Sequence, residues 1–415
     1  MEFDIGTITV GVALRVHPFR NTRRGGHGGP PLQRILYVGD VPVEASYHGS
    51  ALLYRLLSDY PTEKLTIIET ATESQAKRRL PNVNYISHRI ANQRWLNTRF
   101  HPYVAEYFTR KAPRMAPAIA QSLDGFESVL TVAHGFGWLA AAEIASQRNV
   151  PLHLIVHDDW PRVANVTSRF RNSLDERFGQ VYRQAQSRLC VSPAMSRFYE
   201  ERYGAPAEVI YPSRTADCAD FSEPPAHLAE RDRQFTIAFA GTINSPGYVQ
   251  ALTTLQHALA SVDGRLLIFG PLTDDAAQQA GLNDRNIEIR GLLSSTELLA
   301  SLREEAHALF VPMSFAAADR ANMEMAFPSK LADYTATGVP LLIYGPSYCS
   351  AVAWARDNAG VAEVVEAEAD LPGAVTRLAN NPDHRHSLGK CALDTGREYF
   401  THARVQQVFY QSLSA

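Results

Sequence analysis

Cysteine is scarce in this chain, and long apolar runs are missing from it. The cysteines number four among 415 residues, with no CxxC spacing: Cys190, Cys218, Cys349 and Cys391. This distribution argues against a disulfide framework or a cysteine-based metal site and fits a reducing compartment. No stretch approaches the roughly 18–20 apolar residues of a membrane helix. Glu2 and Asp4 stand where a secretion signal carries basic residues, so we predict a cytoplasmic protein.

The sequence also lacks a large excess of charge of either sign. Its formal net charge is −3, and neither half is basic enough to predict a nucleic-acid partner. Residues 34–215 hold 22 Lys and Arg against 17 Asp and Glu, whereas residues 216–415 hold 14 against 24. The chain is long enough for two domains, and this change of sign predicts a boundary near residue 215.

Strand–helix alternation is the main pattern that is present. Candidate strands in the first half are Arg34–Val38, Leu65–Ile68, Val83–Ile86, Ser128–Val132, Leu152–Val156, Arg188–Val191 and Glu208–Tyr211. Those in the second half are Phe235–Ala240, Arg265–Phe269, Asn286–Ile289, Ala308–Val311, Pro340–Ile343 and Ala362–Val365. This alternation is typical of βαβ units. We predict an α/β fold of two Rossmann-like, doubly wound domains, with ligands at the strand ends that face the cleft between them.

The predicted domains are residues 34–215 and 216–393, joined by the polar connection Pro212–Arg233. Residues 1–33 form a predicted extension whose glycine-rich part, Asn21–Pro31, is typical of a flexible linker. The stretch Asp394–Leu413 is amphipathic and predicts a final helix.

The stretch Phe327–Tyr344 predicts a helix that leads into a buried strand. Ser329 is placed to cap the helix, and Gly338 stands where a left-handed residue ends one. Lys330 in the first turn faces the positive end of the helix dipole, which favours a bound anion at that point. Asp333, one turn on, suits ribose hydroxyls, and together the two residues indicate a nucleotide site. The alternative is an ordinary surface lysine and aspartate.

Polar residues and glycines follow several predicted strands at their carboxyl ends. His134, and His157 with Asp158 and Asp159, come after two strands that we expect to be neighbours. Each histidine alone is more typical of a turn than of a site, but the pair favours function. No ligand spacing predicts a metal there. Glycine turns follow other strands and suit close approach to a ligand: His48-Gly49 after the first strand, and Gly241-Thr242, Gly270 and Gly291 in the second half.

The segment Pro328-x-Lys330-Leu331-x-Asp333-Tyr334, followed by Gly338-x-Pro340, resembles the donor-site helix of the retaining, family 4-like glycosyltransferases with the GT-B fold, in their P-x-K subgroup. The resemblance covers about residues 35–391. It implies that Asp333 binds ribose and that Lys330, with backbone amides at Gly241 and Ser329, binds the diphosphate. It further implies that His157 contacts the donor sugar, that His134 lies on the acceptor side, and that helix 394–413 packs back on the first domain.

The function implied is transfer of a sugar from a UDP-, GDP- or dTDP-sugar to a hydroxyl of a carbohydrate, glycolipid or other acceptor, without an obligatory metal or cofactor. Thr242 and Pro246 depart from the family's pattern, because many members have an Arg and a Lys in that turn. Met325 likewise stands where the family has a Glu. Two alternatives follow: a nucleotide-sugar epimerase of the same fold, or a non-catalytic binding or scaffold protein.

A basic and aromatic stretch spans residues 77–114. It has nine Lys and Arg against Glu106 alone, with interleaved aromatic side chains. A solvated helical face is the plain interpretation. The functional alternative is peripheral contact with an anionic membrane surface or a lipid-diphosphate acceptor.

Overall fold

Two parallel β-sheets organise the residues of this computed structural model, which describes 32–45, 48–71, 78–121, 123–230, 233–243 and 245–414. The side chains of His48 and Gln93 are outside this description. The predicted N-terminal extension lies almost entirely outside it as well. Residues Gln33–Ala415 form one compact unit that contains both sheets.

The first sheet has the strand order β3-β2-β1-β4-β5-β6-β7 in the described residues, with every neighbouring pair parallel. Its strands are β1 Ile35–Gly39, β2 Leu65–Glu69, β3 Asn84–Ser87, β4 Ser128–Val132, β5 Leu152–Val156, β6 Ser187–Cys190 and β7 Glu208–Val209. Strands β1, β4 and β5 are buried along their whole length because helices cover both faces. The order reverses between β1 and β4, which opens a crevice at their carboxyl ends.

The second sheet has the order β10-β9-β8-β11-β12-β13 in the described residues and is parallel throughout. Its strands are β8 Thr236–Ala240, β9 Arg265–Phe269, β10 Ile287–Gly291, β11 Ala308–Pro312, β12 Leu341–Tyr344 and β13 Ala362–Val365. The predicted α/β fold of two Rossmann-like sheets is therefore confirmed.

Helices connect the strands and cover the sheets. Around the first sheet they are α1 His48–Leu57, α2 Gln93–Leu96, α3 His101–Lys111, α4 Ala116–Ala120, α5 Gly137–Arg148, α6 Trp160–Val163, α7 Ser168–Gln184 and α8 Pro193–Tyr203. The later ones are α9 Pro246–Ala260, α10 Asp274–Gln279, α11 Ser295–Glu305, α12 Arg320–Met325, α13 Lys330–Thr337, α14 Ser350–Asp357, α15 Leu371–Asn380, α16 Pro382–Tyr399 and α17 His402–Leu413. Within the described residues, none of them is both long and apolar enough to cross a membrane.

The C-terminal stretch forms two helices, so the prediction of one helix from Asp394 to Leu413 is wrong. Helix α16 ends at Tyr399, and Thr401 has an extended backbone before α17 begins. Phe400 at the break is fully buried and packs against aromatic rings of both halves, namely Tyr211, Phe327 and Trp354. Burial of this one ring in the junction requires the chain to change direction here. Beyond the break, α17 packs against α1 and β6 of the first half.

Candidate active site

A cleft between the two halves contains several of the predicted site residues. Its volume is about 410 Å³, within the usual range for a small-molecule site. The first half contributes Gly49, Arg55, His157 and Asp158, and the second half contributes Phe327, Ser329 and Asp333. The helices α1 and α13 and the turn after β5 therefore meet at one place.

His134 and His157 lie side by side because β4 and β5 are paired in register. Their ring centroids are 5.6 Å apart. Oδ2 of Asp158 lies 3.2 Å from Nε2 of His157 and 3.7 Å from Nδ1 of His134. Burial alone would raise the pKa of Asp158, but hydrogen bonding and charge from the two histidines outweigh it and hold this pKa well below its usual value. Asp158 is therefore a carboxylate at neutral pH and lies close to both imidazoles, nearer to that of His157.

These three side chains also have the donor types of a metal site. One ligand atom from each lies within 4.8 Å of the others. The sequence offered no ligand spacing, because the residues come from two strand ends that meet only in the fold. The absence of a metal stays a prediction.

Gly49 lets α1 begin directly against His157. A Cβ built on Gly49 would lie 2.9 Å from Cε1 of His157, which is too close for a real contact. The helix backbone therefore forms one wall of the imidazole's environment. His48, the other residue predicted in this turn, is the first residue of α1.

Asp40 is a residue of this region to which the sequence analysis gave no role. Its carboxylate accepts hydrogen bonds from the backbone N–H of Phe136 and from the Thr70 hydroxyl, and burial raises its pKa. It thereby fixes the turn after β4 that carries His134. Gly135, with φ of 60°, leaves room for this carboxylate, since a Cβ there would overlap it.

Asp159 has a structural position, unlike its neighbour Asp158. It is buried, its Oδ1 accepts a hydrogen bond of 2.8 Å from the Tyr199 hydroxyl, and its Oδ2 lies 3.0 Å from Nε of Arg162. It is the N-cap residue of α6, but its side chain makes no capping hydrogen bond. Its contacts anchor the turn after β5 to α8.

Lys330 begins α13 and points towards the turn after β8. Its Nζ lies 4.2 Å from the centre of the Phe239 ring, and a Cβ on Gly241 would be 3.4 Å from it. Desolvation lowers the pKa of Lys330 to about 7, and no carboxylate of the described residues offsets this loss. A cation without a counter-ion at a helix N-terminus is the arrangement that an anion would complete.

The glycine turns after β8, β9 and β10 are joined to each other. The N–H of Gly241 donates to the carbonyl of Phe269, and that of Gly270 donates to the carbonyl of Gly291. The predicted amide donor at Gly241 is therefore already engaged, which is a correction: this glycine can contribute space but not a free N–H. A Cβ on Gly270 would lie 2.3 Å from the Gly241 carbonyl oxygen, so the stacking of these turns requires glycine. Thr242 follows on the same turn and is exposed.

Asp333 has a partner that the sequence analysis missed. Nη1 and Nη2 of Arg55, near the end of α1, lie 3.3 and 3.4 Å from the two carboxylate oxygens of Asp333. Arg55 also donates to the carbonyl of Ser213 in the connection between the halves. Nothing in the local sequence marks Arg55, because its partners are 158 and 278 residues away.

Ser329 does not cap α13 with its side chain, so that prediction is wrong. Its backbone is already helical, with φ of −57° and ψ of −26°, and its hydroxyl makes no capping bond. The residue is exposed and lines the cleft. The other end of the helix is as predicted, because Gly338 ends it with φ of 70°.

A second cavity of about 270 Å³ lies in the first half beside His134. His134 packs against Trp160, with ring centroids 4.6 Å apart and ring planes tilted by 45°. Both line this cavity together with Asp40 and Phe136. His157 thus lines the cleft, whereas His134 lines this mostly apolar cavity.

This chain is similar to known glycosyltransferases in part of its sequence and in its fold. Residues 64–213 match the model of Glycosyltransferase Family 4, and no curated protein matches the sequence. Anabaena HepE, solved in complex with UDP and glucose, aligns at 12% identity and a TM-score of 0.64, covering 92% of this chain and 100% of that one. Sucrose-phosphate synthase from Thermosynechococcus elongatus aligns at 14% identity and 0.64, covering 91% and 98%. The UDP-forming trehalose-phosphate synthase of Burkholderia vietnamiensis aligns at 14% and 0.65, covering 94% and 98%.

The three structural alignments extend over both sheets, whereas the family match lies within the first half of the chain. The chain has two Rossmann-like sheets with a cleft between them, and its structural neighbours share this architecture. The chain has the GT-B fold, and its residues 64–213 match a glycosyltransferase family 4 domain.

Proposed function

We propose that this protein is a glycosyltransferase that moves a sugar from a nucleotide-sugar donor to an acceptor hydroxyl with retention of anomeric configuration, in glycan, polysaccharide or glycolipid biosynthesis. The observation that carries the proposal is the cleft in which Asp333 and Ser329 of one half face His157 and Asp158 of the other. In this arrangement Asp333 would bind the ribose and His157 would bind the sugar, from opposite sides of a cleft that is large enough for a nucleotide sugar.

The donor site that we propose centres on α13. Lys330 would neutralise the diphosphate, and Asp333 would accept hydrogen bonds from the ribose hydroxyls. The turns at Gly241, Gly270 and Gly291 would hold the nucleotide by shape. Because Thr242 and Pro246 replace the cations common in that turn of the family, Lys330 takes a larger share of the charge.

The reaction requires the bond from the sugar C1 to the diphosphate oxygen to break while C1 forms a bond to the acceptor oxygen. We propose that the acceptor attacks from the face that the diphosphate leaves, and that its proton passes to the leaving phosphate. His157, held by Asp158, would position the sugar as positive charge develops on it. Lys330 would stabilise the leaving diphosphate as its negative charge develops.

The comparisons support this proposal at the level of reaction class. The matched family is one of glycosyltransferases, and Anabaena HepE, one of the structural neighbours, was solved in complex with UDP and glucose. The trehalose-phosphate synthase is described as UDP-forming. We therefore place UDP-sugars first among the donors to be tested, ahead of GDP- and dTDP-sugars.

For the acceptor we propose a carbohydrate or glycolipid that enters the cavity beside His134. Its apolar lining suits the less polar part of such a molecule. We also propose that part of residues 77–114 contacts a membrane surface peripherally, which would bring a glycolipid acceptor to this cavity.

The test is a thermal-shift panel of UDP-, GDP- and dTDP-sugars, run on the wild type and on Lys330→Ala, followed by an acceptor screen with the donor that binds. A ligand at 100 times its Kd adds roughly 2.7 kcal/mol of stability. We expect a shift with one nucleotide, lost in the variant, and sugar transfer that requires an acceptor. A shift followed by donor turnover without acceptor would instead indicate an epimerase. Absence of any shift would favour the non-catalytic alternative.

A further inference from the structure

Helix α3 carries aromatic and basic side chains on one face. Phe100, Tyr103, Tyr107, Arg110 and Lys111 follow the three- and four-residue spacing of a single helical stripe. The rings of Phe100, Tyr103 and Tyr107 are 54%, 59% and 53% exposed, and Trp95 on the adjacent α2 is 55% exposed. Three of these rings lie on one side of α3, and the fourth is on α2, which packs against α3. Large exposed aromatic side chains grouped on neighbouring elements, rather than scattered singly, indicate an interaction site.

The opposite face of the same helix lines the cavity beside His134. His101, Ala105 and Thr109, spaced four residues apart, contribute to that cavity. Whatever contacts the aromatic face of α3 is therefore separated from the cavity by the width of one helix.

Three arginines converge at the end of the stripe. Arg114 comes four residues after Arg110, and Arg177 belongs to α7. Together with Phe170 and Ser173, these three arginines line a pocket of about 250 Å³. The guanidinium of Arg110 stacks 4.5 Å from the centre of the Phe170 ring. Nη1 of Arg177 donates to the carbonyl of Thr109 at 3.5 Å. The pocket is thus assembled from two elements, and these contacts hold two of its three cations in place.

Little negative charge balances this pocket. In the described part of the chain, Arg114 and Arg177 form no ion pair with a carboxylate, and no acidic residue lines the pocket. Arg110 lies 3.8 Å from Glu106, whose other oxygen accepts a 3.2 Å hydrogen bond from the N–H of Thr167. Three guanidinium groups around one small volume favour a phosphate group, which they can bind through paired hydrogen bonds.

We propose that the pocket of Arg110, Arg114 and Arg177 binds the phosphate of an anionic phospholipid while Trp95, Phe100, Tyr103 and Tyr107 rest in the interfacial layer of the bilayer. This inference depends on the membrane contact proposed above, and it adds a specific site for the lipid headgroup. A free phosphate would satisfy the arginines but would leave the aromatic stripe in water. Aromatic rings beside basic side chains suit the boundary between headgroups and acyl chains, so we propose a lipid as the ligand of this surface.

The test is co-sedimentation of the full-length protein with phosphatidylcholine vesicles that contain or lack phosphatidylglycerol. We compare the wild type with the double variant Arg114→Gln/Arg177→Gln. The matched control, Arg183→Gln/Arg285→Gln, removes two exposed arginines outside this surface. Loss of two cations near an anionic surface should weaken partitioning roughly 30-fold, whereas the control should bind like the wild type. Wild-type binding should also weaken at high salt.

The fluorescence of Trp95 gives a second measurement. Its emission should shift to the blue on addition of phosphatidylglycerol vesicles, and Trp95→Phe should abolish the change while it keeps partitioning nearly intact. Glycerol phosphate at the concentration of the vesicle lipid should not displace the protein.

Three outcomes would overturn the headgroup site. Equal vesicle binding by the double variant and its control would leave a membrane contact without this site. Displacement by glycerol phosphate would indicate a soluble phosphate ligand. Absence of wild-type binding to anionic vesicles would remove both the site and the membrane contact. The nucleotide thermal-shift panel reports on the donor site separately, so these failures are distinguishable from failure of the glycosyltransferase proposal.

Discussion

The ammonium of Lys330 lies where its charge is disfavoured until an anion arrives. Its pKa of about 7 in the ligand-free protein is lowered by desolvation, and a bound diphosphate would raise it again. Between the lower pKa of the free protein and the higher pKa of the complex, binding of the diphosphate is therefore accompanied by uptake of a proton.

We predict that the Kd for the donor diphosphate is constant below pH 7 and rises by up to about tenfold per pH unit above it, because the free protein then has to take up a proton on binding. Calorimetric titration on both sides of this pH measures the effect. Lys330→Arg, which stays charged, should bind with little pH dependence above 7. The same slope in wild type and Lys330→Arg would place the titrating group elsewhere.

Arg55 and Asp333 form a contact that donor binding must rearrange. The Asp333 side chain is about a third exposed, so its ion pair with Arg55 contributes little stability, about 0.2–1 kcal/mol. Ribose hydroxyls would compete with the guanidinium for the same two oxygens.

We predict that Arg55→Ala lowers the Kd for a nucleoside diphosphate by up to about fivefold, because it frees the Asp333 carboxylate. Titration of the variant and of Arg285→Ala, a change at an exposed arginine of the second half, measures it. Tenfold weaker binding in Arg55→Ala would show instead that Arg55 contacts the donor.

Among the elements, α1 approaches the His157 ring closely at Gly49. We predict that Gly49→Ala lowers the rate of sugar transfer roughly tenfold to a hundredfold, because the added methyl group displaces the His157 ring from its position. The melting temperature should not fall, since alanine favours a helix more than glycine does. Gly373→Ala in α15, where the nearest atom to a Cβ is a flexible arginine terminus at 3.5 Å, is the control with unchanged rate. An unchanged rate in Gly49→Ala would exclude tight coupling between α1 and the imidazole.

Elements with a strong local pattern could be predicted from the sequence. Each strand that we predicted overlaps an observed one, because a strand of a parallel sheet is a short apolar run bounded by turn residues. The meeting of His134 and His157 followed from the same pattern, since neighbouring parallel strands end at one edge. The break at Phe400 could not be predicted, because amphipathic periodicity continues through it and only burial of the ring in the junction interrupts the helix.

Side chains positioned by distant partners also escaped prediction. In their own segments, Arg55 and Asp40 look like ordinary polar residues. Only folding brings Asp333 to Arg55 and the turn of Phe136 to Asp40. Sequence patterns report which elements form, whereas these contacts depend on how the elements pack.

At the scale of the whole molecule, Phe400 is the centre of the junction between the halves. We predict that Phe400→Ala lowers the free energy of unfolding by about 3–5 kcal/mol, because the cavity left among Tyr211, Phe327 and Trp354 belongs to both halves. Urea titration measures the loss. Phe100→Ala makes the same substitution at a ring that is 54% exposed, and it should change stability by less than about 0.5 kcal/mol. Equal effects of the two would contradict the assigned role of Phe400.

The chain passes between the two halves twice at this junction, once near Arg214 and once at Phe400. The N–H of Arg214 donates to the carbonyl of Phe400 at 2.8 Å, so the two passages run side by side. A single tether would let one half swivel freely about the other, but two tied passages define a hinge axis. We expect any opening of the cleft to be a rotation about an axis that runs along this pair of segments. Asp333 and His157 line the cleft from different halves, so such a rotation would change the distance between them.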